Sequence, residues 1–340
     1  MRIAVFHGPG RPLGIEQIPE PAPRPDEILI EIARCGVCGS DISMTNAGPF
    51  SYADGRALGH EYAGRVIEVG RAVSNYRIGD RVACIPSAWC GNCDACQRGH
   101  PLLCRRCQPL TRGFAEYIAI PATSAVKLPA TLSLADGALV EPMACGLHAL
   151  RMAGVKRGDR VLVLGAGSMA LSVVYWAKIL GAARIVVLSR SGHRAEVARA
   201  MGADAVEGFQ QDDEARCRAA LGADPDIVAE CVGRAGLLKT AIERVRSQGT
   251  VISMGMCMQP EEILPAYCTF KDMRLLFPLG YTVAEFTQTA RAFDAGHVRP
   301  ESMVSDVISL EALPGMFESL RAGRQSLKVH VNPRMSATHE

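Results

Sequence analysis

The segment Cys35–Asp41, read as CGVCGSD, places a thiol, a hydroxyl and a carboxylate within four residues on a turn flanked by glycines. Cys38 is a candidate for the first ligand of a catalytic metal, and Ser40 is a candidate for the first step of a proton path. The alternative is that Cys35 and Cys38 are small buried residues beside a turn, as free cysteines often are. This segment alone does not separate the two interpretations.

Three further side chains extend the candidate metal site. His60 and Glu61 follow Cys38 along the chain, and Glu141 precedes a proline. A cysteine, a histidine and a carboxylate supply three protein ligands and leave a fourth position for substrate, which is the composition of a catalytic zinc site. Taken singly, His60 could be a hydrogen-bonded core histidine and Glu141 a charge at a helix start. Their joint occurrence predicts the catalytic site.

A cluster of cysteines indicates a second metal site. The spacing is C-x2-C-x2-C-x7-C, formed by Cys90, Cys93, Cys96 and Cys104. Four thiolates surround one Zn2+ tetrahedrally at about 2.3 Å each and leave no open position, so this site is predicted to be structural. Free cysteines are the alternative. A zinc-ribbon module for nucleic acid is disfavoured by the near-neutral chain.

The segment Val161–Ala170 predicts a dinucleotide site. A strand ends at Gly165, and Ser168-Met169-Ala170 opens a helix after Gly167, giving the pattern G-x-G-x-x-A. Gly165 permits a tight turn, and Gly167 lets the backbone approach a pyrophosphate at the helix N-terminus. The alternative is a tight strand-to-helix turn without a ligand.

The end of the next predicted strand bears on the choice of cofactor. Ser189 and Arg190 stand there, with Arg194 close by, where an NAD site usually has an acidic residue for the ribose 2′-hydroxyl. A serine beside an arginine accepts a 2′-phosphate instead. The sequence therefore predicts NADP(H) in preference to NAD(H). The alternative is that both arginines are solvated surface charges.

Composition limits the class of protein. A chain of 340 residues suggests two domains, and 48% hydrophobic with 21% charged residues is an ordinary soluble composition. A formal charge of +2 gives no electrostatic reason to expect nucleic acid or an anionic membrane as a partner. The first residues do not resemble a signal peptide, and we expect a cytoplasmic protein.

The first part of the chain is predicted to be β-rich. Short alternating or β-branched runs separated by Gly, Pro and Asp turns favour a small, partly closed β-barrel over residues 1 to about 130. The predicted strands are Ile3–Phe6, Ile28–Ala33, Ala63–Val69, Asp80–Ile85, Glu116–Ile120 and Ala125–Leu128.

The pattern changes near Ser133, which is a predicted helix cap. The predicted elements are helix Gly137–Met152, strand Arg160–Leu164, helix Ser168–Leu180, strand Arg184–Leu188, helix His193–Met201, strand Ile227–Glu230, helix Leu237–Val245, strand Thr250–Met254, edge strand Leu275–Pro278, helices Ala284–Ala295 and Leu310–Ala322, and strand Leu327–Val331. The βαβαβ order predicts a right-handed, doubly wound parallel sheet.

Together these motifs resemble the medium-chain zinc-dependent alcohol dehydrogenase family, in particular its sorbitol and threonine dehydrogenase branch. The similarity runs through nearly the whole chain in family order. Its pieces are CGVCGSD, GHEYAGRVIEVG, GDRVACIPSAWCGNCDACQRGHPLLC, FAEYIAIP, Glu141-Pro142, VLGAGSMA, the Glu230–Gly233 turn and SLKVHV.

The resemblance implies an α/β protein made of a GroES-like β-barrel catalytic domain, residues 1–147 with 286–340, and a Rossmann domain, residues 148–285. It implies Cys38, His60 and Glu61 as ligands of the catalytic zinc, and it leaves open whether Glu61 or Glu141 contacts the metal. Ser43 stands where many relatives have a relay histidine, which leaves the proton path beyond Ser40 open.

The resemblance also implies a set of cofactor contacts. Lys328 matches a basic residue that approaches the cofactor phosphates in relatives. The segments expected to flank the nicotinamide half include Cys231, Val232, Met254, Gly255, Leu279 and Gly280.

The implied function is zinc-dependent hydride transfer between NADP(H) and a secondary alcohol, its ketone or a polyol-like substrate. Zinc polarises the substrate oxygen and Ser40 passes the proton on. The alternatives are an NAD-dependent polyol or threonine-type dehydrogenase and a catalytically silent, NADPH-binding regulatory relative. The resemblance implies a homodimer or homotetramer.

Overall fold

A computed structural model of the chain describes residues 1–296 and 300–336. The chain divides into two compact units, one of residues 1–141 with 282–340 and one of residues 142–281. Each unit is described by itself. The domain bounds expected from the sequence, 1–147 with 286–340 and 148–285, remain a prediction.

The chain up to residue 141 is mostly strand. Its strands are β1 (Arg2–Phe6), β2 (Gly14–Gln17), β3 (Glu27–Gly36), β4 (Arg56–Ala57), β5 (Glu61–Val69), β6 (Arg81–Cys84), β7 (Ser87–Ala88), β8 (Gln108–Pro109), β9 (Tyr117–Pro121) and β10 (Ala125–Lys127). Its helices are α1 (Gly39–Met44), α2 (Asp94–Gln97) and the start of α3 (Leu134–Ala153), with short 3-10 helices at Pro101–Leu103 and Ala122–Ser124.

The second unit alternates strands and helices. It contains the end of α3, then β11 (Arg160–Leu164), α4 (Ser168–Ile179), β12 (Arg184–Leu188), a 3-10 turn at Gly192–Arg194, α5 (Ala195–Ala200), β13 (Ala205–Glu207), α6 (Asp213–Leu221), β14 (Ile227–Glu230), α7 (Leu237–Arg244), β15 (Thr250–Ser253), α8 (Pro265–Lys271) and β16 (Arg274–Leu276). The chain then returns to the first unit with α9 (Val283–Asp294), a 3-10 helix at Pro300–Met303, β17 (Val304–Ser309), α10 (Leu313–Arg321) and β18 (Lys328–Asn332).

The main sheet of the first unit has the strand order β10-β6-β5-β3-β18-β17, and β9 also pairs with β3. Alternate residues of β3, Ile28, Ile30 and Ile32, are buried in the core together with Val66 and Val82. Leu29, between them on the opposite face, is buried as well, so the start of β3 is covered on both faces. The C-terminal strand β18 pairs with β3 in antiparallel and with β17 in parallel fashion, so the end of the chain completes a sheet that its beginning started.

The second unit is a parallel sheet of order β13-β12-β11-β14-β15-β16, in which every ladder is parallel. The central strands β11, β12 and β14 are almost wholly buried, as expected for a sheet with helices on both faces. Gly146 of α3 packs against α4, where a Cβ would lie 2.0 Å from Ser172 Oγ.

The predicted element order agrees closely with the structure. Strands Arg160–Leu164, Arg184–Leu188 and Ile227–Glu230 match residue for residue, and the predicted terminal strand Leu327–Val331 is found as Lys328–Asn332. The sequence analysis missed several shorter or more polar elements, among them α1, β13, α6, α8 and β17. Within residues 1–296 and 300–336, no helix is both long enough and apolar enough to cross a membrane.

Candidate active site

Strand pairing in the first unit determines which candidate residues meet. Gly36, at the end of β3, pairs with Glu61 at the start of β5 on one side and with His330 of β18 on the other. Because both neighbours run antiparallel to β3, the residues just beyond Gly36 lie near the first residues of β5 and β18. Cys38 therefore comes close to Glu61 and Lys328 although the three are far apart in sequence.

The structure brings together three of the four candidate ligands of the catalytic metal. Cys38, His60 and Glu61 each offer a ligand atom, and these atoms lie within 4.8 Å of one another. A thiolate, an imidazole and a carboxylate at this spacing fit one zinc ion and leave a position for another ligand. The donor set therefore fits the metal that the sequence predicts.

Glu141 lies outside this 4.8 Å group. It is buried within α3. Burial lowers the pKa of Lys328, but the charge of Glu61 outweighs this effect and raises that pKa, with a smaller contribution from Glu141. Of the two glutamates that the sequence left as alternatives, Glu61 belongs to the group within 4.8 Å, and which of them contacts the metal remains a prediction.

Ser40 lies next to the candidate thiolate. Its hydroxyl donates a hydrogen bond to Cys38 Sγ over 3.2 Å, and both residues are partly exposed. A hydroxyl in this place can exchange a proton with a substrate oxygen and pass it towards solvent. Cys35, by contrast, is wholly buried in the core, and burial raises the pKa of its thiol well above the ordinary value, which suits packing rather than metal binding.

Asp41 supports two of the candidate ligands, a role that the sequence analysis did not assign. Its carboxylate accepts a hydrogen bond from Cys38 N over 3.1 Å, and its other oxygen lies 3.3 Å from His60 Nδ1. Burial lowers the pKa of His60, but the charges of Asp41 and Cys38 outweigh that effect and raise this pKa well above the ordinary value. A carboxylate behind a ligand histidine fixes the orientation of the ring. The adjacent Ser-Asp pair in CGVCGSD was the available signal.

Lys328 lies beside the candidate metal ligands. Its ammonium lies 2.7 and 2.8 Å from the two carboxylate oxygens of Glu61 and donates to Val37 O over 3.2 Å. These three acceptors match the three hydrogens of the ammonium group. Lys328 is only 2% exposed, so it forms a buried ion pair with Glu61, and its role towards the cofactor phosphates remains a prediction.

The four clustered cysteines form the second candidate metal site. Cys90, Cys93, Cys96 and Cys104 bring their sulfurs within 4.8 Å of one another. Backbone N–H groups of Cys90 and Arg106 point at Cys104 Sγ over 3.4 and 3.3 Å. A hydrogen bond from the backbone of Asn92 is the main cause that lowers the pKa of Cys90 to about 6. Four converging thiols with such hydrogen bonds fit a structural zinc ion.

In the second unit, the turn between β11 and α4 has the features that a pyrophosphate needs. Gly165 has a φ of +106°, and a Cβ there would lie 2.7 Å from Val232 Cγ2, so only glycine fits. A Cβ on Gly167 would meet no atom within 4 Å, which leaves the backbone open to a ligand. Ser168 and Met169 begin the 12-residue helix α4, whose free N–H groups favour an anion.

Ser189, directly after β12, is buried and accepts a hydrogen bond from Ser191 N over 3.1 Å. Arg190 is exposed, and Arg194 is partly buried, which lowers its pKa. The neighbouring acid, Glu207 at the end of β13, has its carboxylate 3.6 Å from the guanidinium of Arg216. The carboxyl end of β12 thus carries hydroxyl and arginine side chains.

Two more predicted cofactor segments meet at the carboxyl ends of β14 and β15, where Glu230 links them. Glu230 Oε1 accepts hydrogen bonds from Val232 N over 2.7 Å and Gly233 N over 2.9 Å. The backbone oxygen of Glu230 accepts from Met254 N and Gly255 N over 2.7 and 2.9 Å. The turn after Cys231 is therefore held against the loop after β15 by one buried residue.

The third predicted cofactor segment follows β16. Leu279 is exposed, and Gly280 adopts a left-handed φ of +63°. The cofactor role of these segments remains a prediction.

Comparisons with known proteins agree with this geometry. Residues 24–130 match the model of the alcohol dehydrogenase GroES-like domain, and residues 167–295 match that of the zinc-binding dehydrogenases. The sorbitol dehydrogenase of Bacillus subtilis (strain 168) is 30% identical over 344 residues, which cover 98% of this chain and 97% of that protein. The chain belongs to the zinc-dependent medium-chain alcohol dehydrogenase family.

Solved structures of this family have the same fold. A zinc-binding dehydrogenase from Sinorhizobium meliloti 1021, bound to NADP, is 30% identical with a TM-score of 0.89, over 98% of this chain and 99% of that one. The 2R,3R-butanediol dehydrogenase from Bacillus subtilis is 28% identical with a TM-score of 0.86, over 98% and 99% of the two chains. The predicted fold class, a GroES-like domain with a Rossmann domain, is confirmed, and this medium-chain dehydrogenase is a zinc-type oxidoreductase.

Proposed function

We propose that this protein transfers hydride between NADP(H) and a secondary alcohol or its ketone, with a polyol or vicinal diol as the substrate class. The observation that carries the proposal is the group of Cys38, His60 and Glu61 within 4.8 Å, with the Ser40 hydroxyl on the Cys38 sulfur. The relatives named sorbitol dehydrogenase and 2R,3R-butanediol dehydrogenase support a substrate with neighbouring hydroxyl groups. Retention of every predicted ligand and of Ser40 argues against a silent regulatory relative.

When bound, zinc supplies the Lewis acidity that polarises the reacting oxygen, and the nicotinamide takes or gives the hydride. Cys38 and His60 would hold the ion, with Glu61 in reach. Ser40 takes the proton of the alcohol and passes it towards solvent. Asp41 keeps the His60 ring in one orientation, because its carboxylate lies 3.3 Å from Nδ1.

The preference for NADP(H) rests on the residues after β12. At this position an NAD site usually has an acidic residue, which would repel a 2′-phosphate. Here Ser189 and Arg190 supply a hydroxyl and a guanidinium instead, and both can bind a phosphate. The NADP-bound relative from Sinorhizobium meliloti supports the same choice. An NAD-dependent polyol dehydrogenase is the second candidate.

The central test is a panel of secondary alcohols, polyols and amino alcohols, oxidised with NADP and with NAD. We expect turnover of a vicinal diol or polyol with a higher kcat/KM for NADP. Cys38→Ala should abolish turnover and lower the zinc content by one ion per chain. Its far-UV circular dichroism spectrum should stay unchanged. Near-normal turnover in this variant would overturn the metal assignment.

A second experiment tests the cofactor preference. Replacing Ser189 by Asp and Arg190 by Leu introduces a carboxylate and removes a cation, so the ratio of kcat/KM for NADP to that for NAD should fall by tenfold or more, equivalent to about 1.4 kcal/mol. The control variant is Arg199→Leu, which also removes one positive charge but from the exposed side of α5. An unchanged ratio in the double variant would refute the phosphate interpretation.

The protein is further proposed to form a homodimer or homotetramer. In the described structure β16 ends the parallel sheet of the second unit, and two large apolar side chains near it are exposed, Phe270 by 87% and Phe277 by 64%. An edge strand beside apolar side chains favours pairing with a second copy. Light scattering at several protein concentrations tests this, and a monomer at high concentration would contradict it.

A further inference from the structure

Arg56 carries a positive charge that no acidic side chain of the described residues neutralises. It stands on β4, four residues before His60. Among residues 1–296 and 300–336, no carboxylate is paired with its guanidinium. Asp54, two residues before it, has its carboxylate 3.6 Å from His7 instead. The charge of Arg56 is therefore available to a ligand.

The guanidinium of Arg56 is held on two sides and open on a third. Its Nη2 donates to Thr111 Oγ1 over 3.1 Å, and this hydroxyl in turn donates to Ala57 O over 3.4 Å. The guanidinium carbon lies 4.8 Å from the centre of the Tyr52 ring, whose face attracts a cation. In the described part of the chain neither Nε nor Nη1 has a hydrogen-bond partner, although Arg56 is only partly exposed. Free N–H donors therefore remain on a group whose position is already fixed.

Tyr52 connects this cation to the candidate metal site. Its backbone N–H donates to Met44 O over 2.8 Å, at the end of helix α1. Burial is the main cause that raises the pKa of Tyr52. The charge of Asp41 raises this pKa further, while the charges of His60 and Arg56 lower it. The phenol is therefore protonated at neutral pH and lies close both to Arg56 and to the residues around the candidate metal site.

The chemistry of this pair favours an anion. The N–H groups of Arg56 are donors only, and the hydroxyl of Tyr52 makes no hydrogen bond within the described residues, so it can donate as well. Carboxylate and phosphate oxygens are the acceptors that form the strongest hydrogen bonds with a guanidinium. A neutral hydroxyl group leaves the positive charge without a counter-charge.

We propose that Arg56 and Tyr52 bind a carboxylate or a phosphate group of the substrate, so that the preferred substrate is a polyol with an anionic end. This inference rests on the proposed function, whose substrate class it narrows. Arg56 is then a specificity-determining residue. It contacts the anionic end of the molecule, while the reacting hydroxyl lies at the candidate metal site.

The test compares three substrates that differ only at one end of the chain: a hexitol, its terminal phosphate ester and the corresponding aldonic acid. We measure kcat/KM for each with the full-length, zinc-loaded protein and NADP. The wild type should prefer at least one of the two anions to the neutral hexitol by about tenfold or more, the scale of one charge-assisted hydrogen bond. The ester and the acid distinguish a phosphate site from a carboxylate site.

Three variants assign this preference to the pair. Arg56→Met keeps an unbranched side chain on the Tyr52 ring but removes the charge, so the preference for the anion should fall by about tenfold or more. Turnover of the neutral hexitol should stay at the wild-type value, which a general structural defect would not allow. Tyr52→Phe keeps the ring and removes one donor, and should lower the same preference by a smaller factor. Arg112→Met, an equal loss of charge at an exposed position beside Thr111, should leave the preference unchanged.

A wild-type protein that oxidises the neutral hexitol as well as both anions would overturn the inference and leave the proposed function intact. An anion preference that survives in Arg56→Met would overturn it too. The same holds if Arg112→Met lowers the preference equally, because net charge and not the contact would then be responsible.

Calorimetric titration of the phosphate ester and the aldonic acid, without NADP, tests the inference separately from turnover. The Kd of the preferred anion should rise by about tenfold or more in Arg56→Met, and an unchanged Kd would refute anion binding by Arg56. A protein that binds the anion through Arg56 but oxidises none of the alcohols would instead refute the proposed function.

Discussion

Glu230 offers a direct test of how the second unit holds the turn after β14 in place. The residue is 3% exposed, and its Oε1 accepts the N–H groups of Val232 and Gly233 over 2.7 and 2.9 Å. Glu230→Ala removes this acceptor. A buried N–H left without a partner costs about 1–3 kcal/mol. Val232 is partly exposed, so water can replace the hydrogen bond of its N–H group. We therefore expect the free energy of unfolding of Glu230→Ala to fall by about 1–3 kcal/mol.

Glu230→Gln is the matched control because its amide oxygen can accept both hydrogen bonds. Burial raises the pKa of Glu230 above its ordinary value, which means that the folded protein favours the neutral side chain. A carboxyl whose folded-state pKa is raised contributes stability below its unfolded pKa and loses it as pH rises through the folded pKa. Wild-type stability should therefore fall relative to Glu230→Gln as pH rises through that range.

Urea unfolding followed by the fluorescence of Trp176 measures this effect. Trp176 is fully buried in the second unit and donates from Nε1 to Met143 O over 2.8 Å. The chain has 2 tryptophans, so a Trp89→Phe background leaves Trp176 as the reporter. Dinucleotide affinity, measured by titration, should fall in Glu230→Ala and less in Glu230→Gln. Equal stability and affinity of the two variants would refute the reasoning.

Three further predictions concern other parts of the molecule. Asp41→Asn should weaken zinc binding at the candidate active site by about 10–100-fold, measured by competition with a chelator, and an unchanged affinity would contradict the role of the carboxylate. Gly146→Ala should cost about 1–3 kcal/mol in urea unfolding, because its Cβ would lie 2.0 Å from Ser172 Oγ. The control Gly315→Ala in α10, where a Cβ meets nothing within 4 Å, should not destabilise. Cys93→Ser should lower the zinc content by one ion per chain, and full zinc content would argue against the four-cysteine site.

The second unit could be predicted well from the sequence because its strands are buried on both faces. Continuous apolar runs such as Arg160–Leu164 and Ile227–Glu230 begin and end at polar or glycine residues, which defines their bounds. Helix α6 was missed because its sequence DEARCRAAL is mostly polar, although Asp213, Cys217 and Leu221 share one buried face. Strand β17, VSDVIS, was missed since serine and aspartate interrupt its apolar alternation.

The candidate site was predictable to the extent that its residues stand in local motifs. Cys38 with Ser40, His60 with Glu61, and the four cysteines each form a compact signal in the sequence. The pairing of Lys328 with Glu61 joins residues 267 positions apart and depends on the register of β18 against β3. No local pattern encodes such a register, so the sequence analysis could not predict that Lys328 is buried beside Glu61.

The position of β18 has a consequence for how the protein is made. Residues 142–281 form one continuous compact unit, whereas the first unit joins segments that are synthesised before and after it. The first unit cannot be completed early, because Glu61 gains its ammonium partner only after position 328 has been synthesised. The pairing of β18 with β3, which brings these two side chains together, therefore forms late in synthesis.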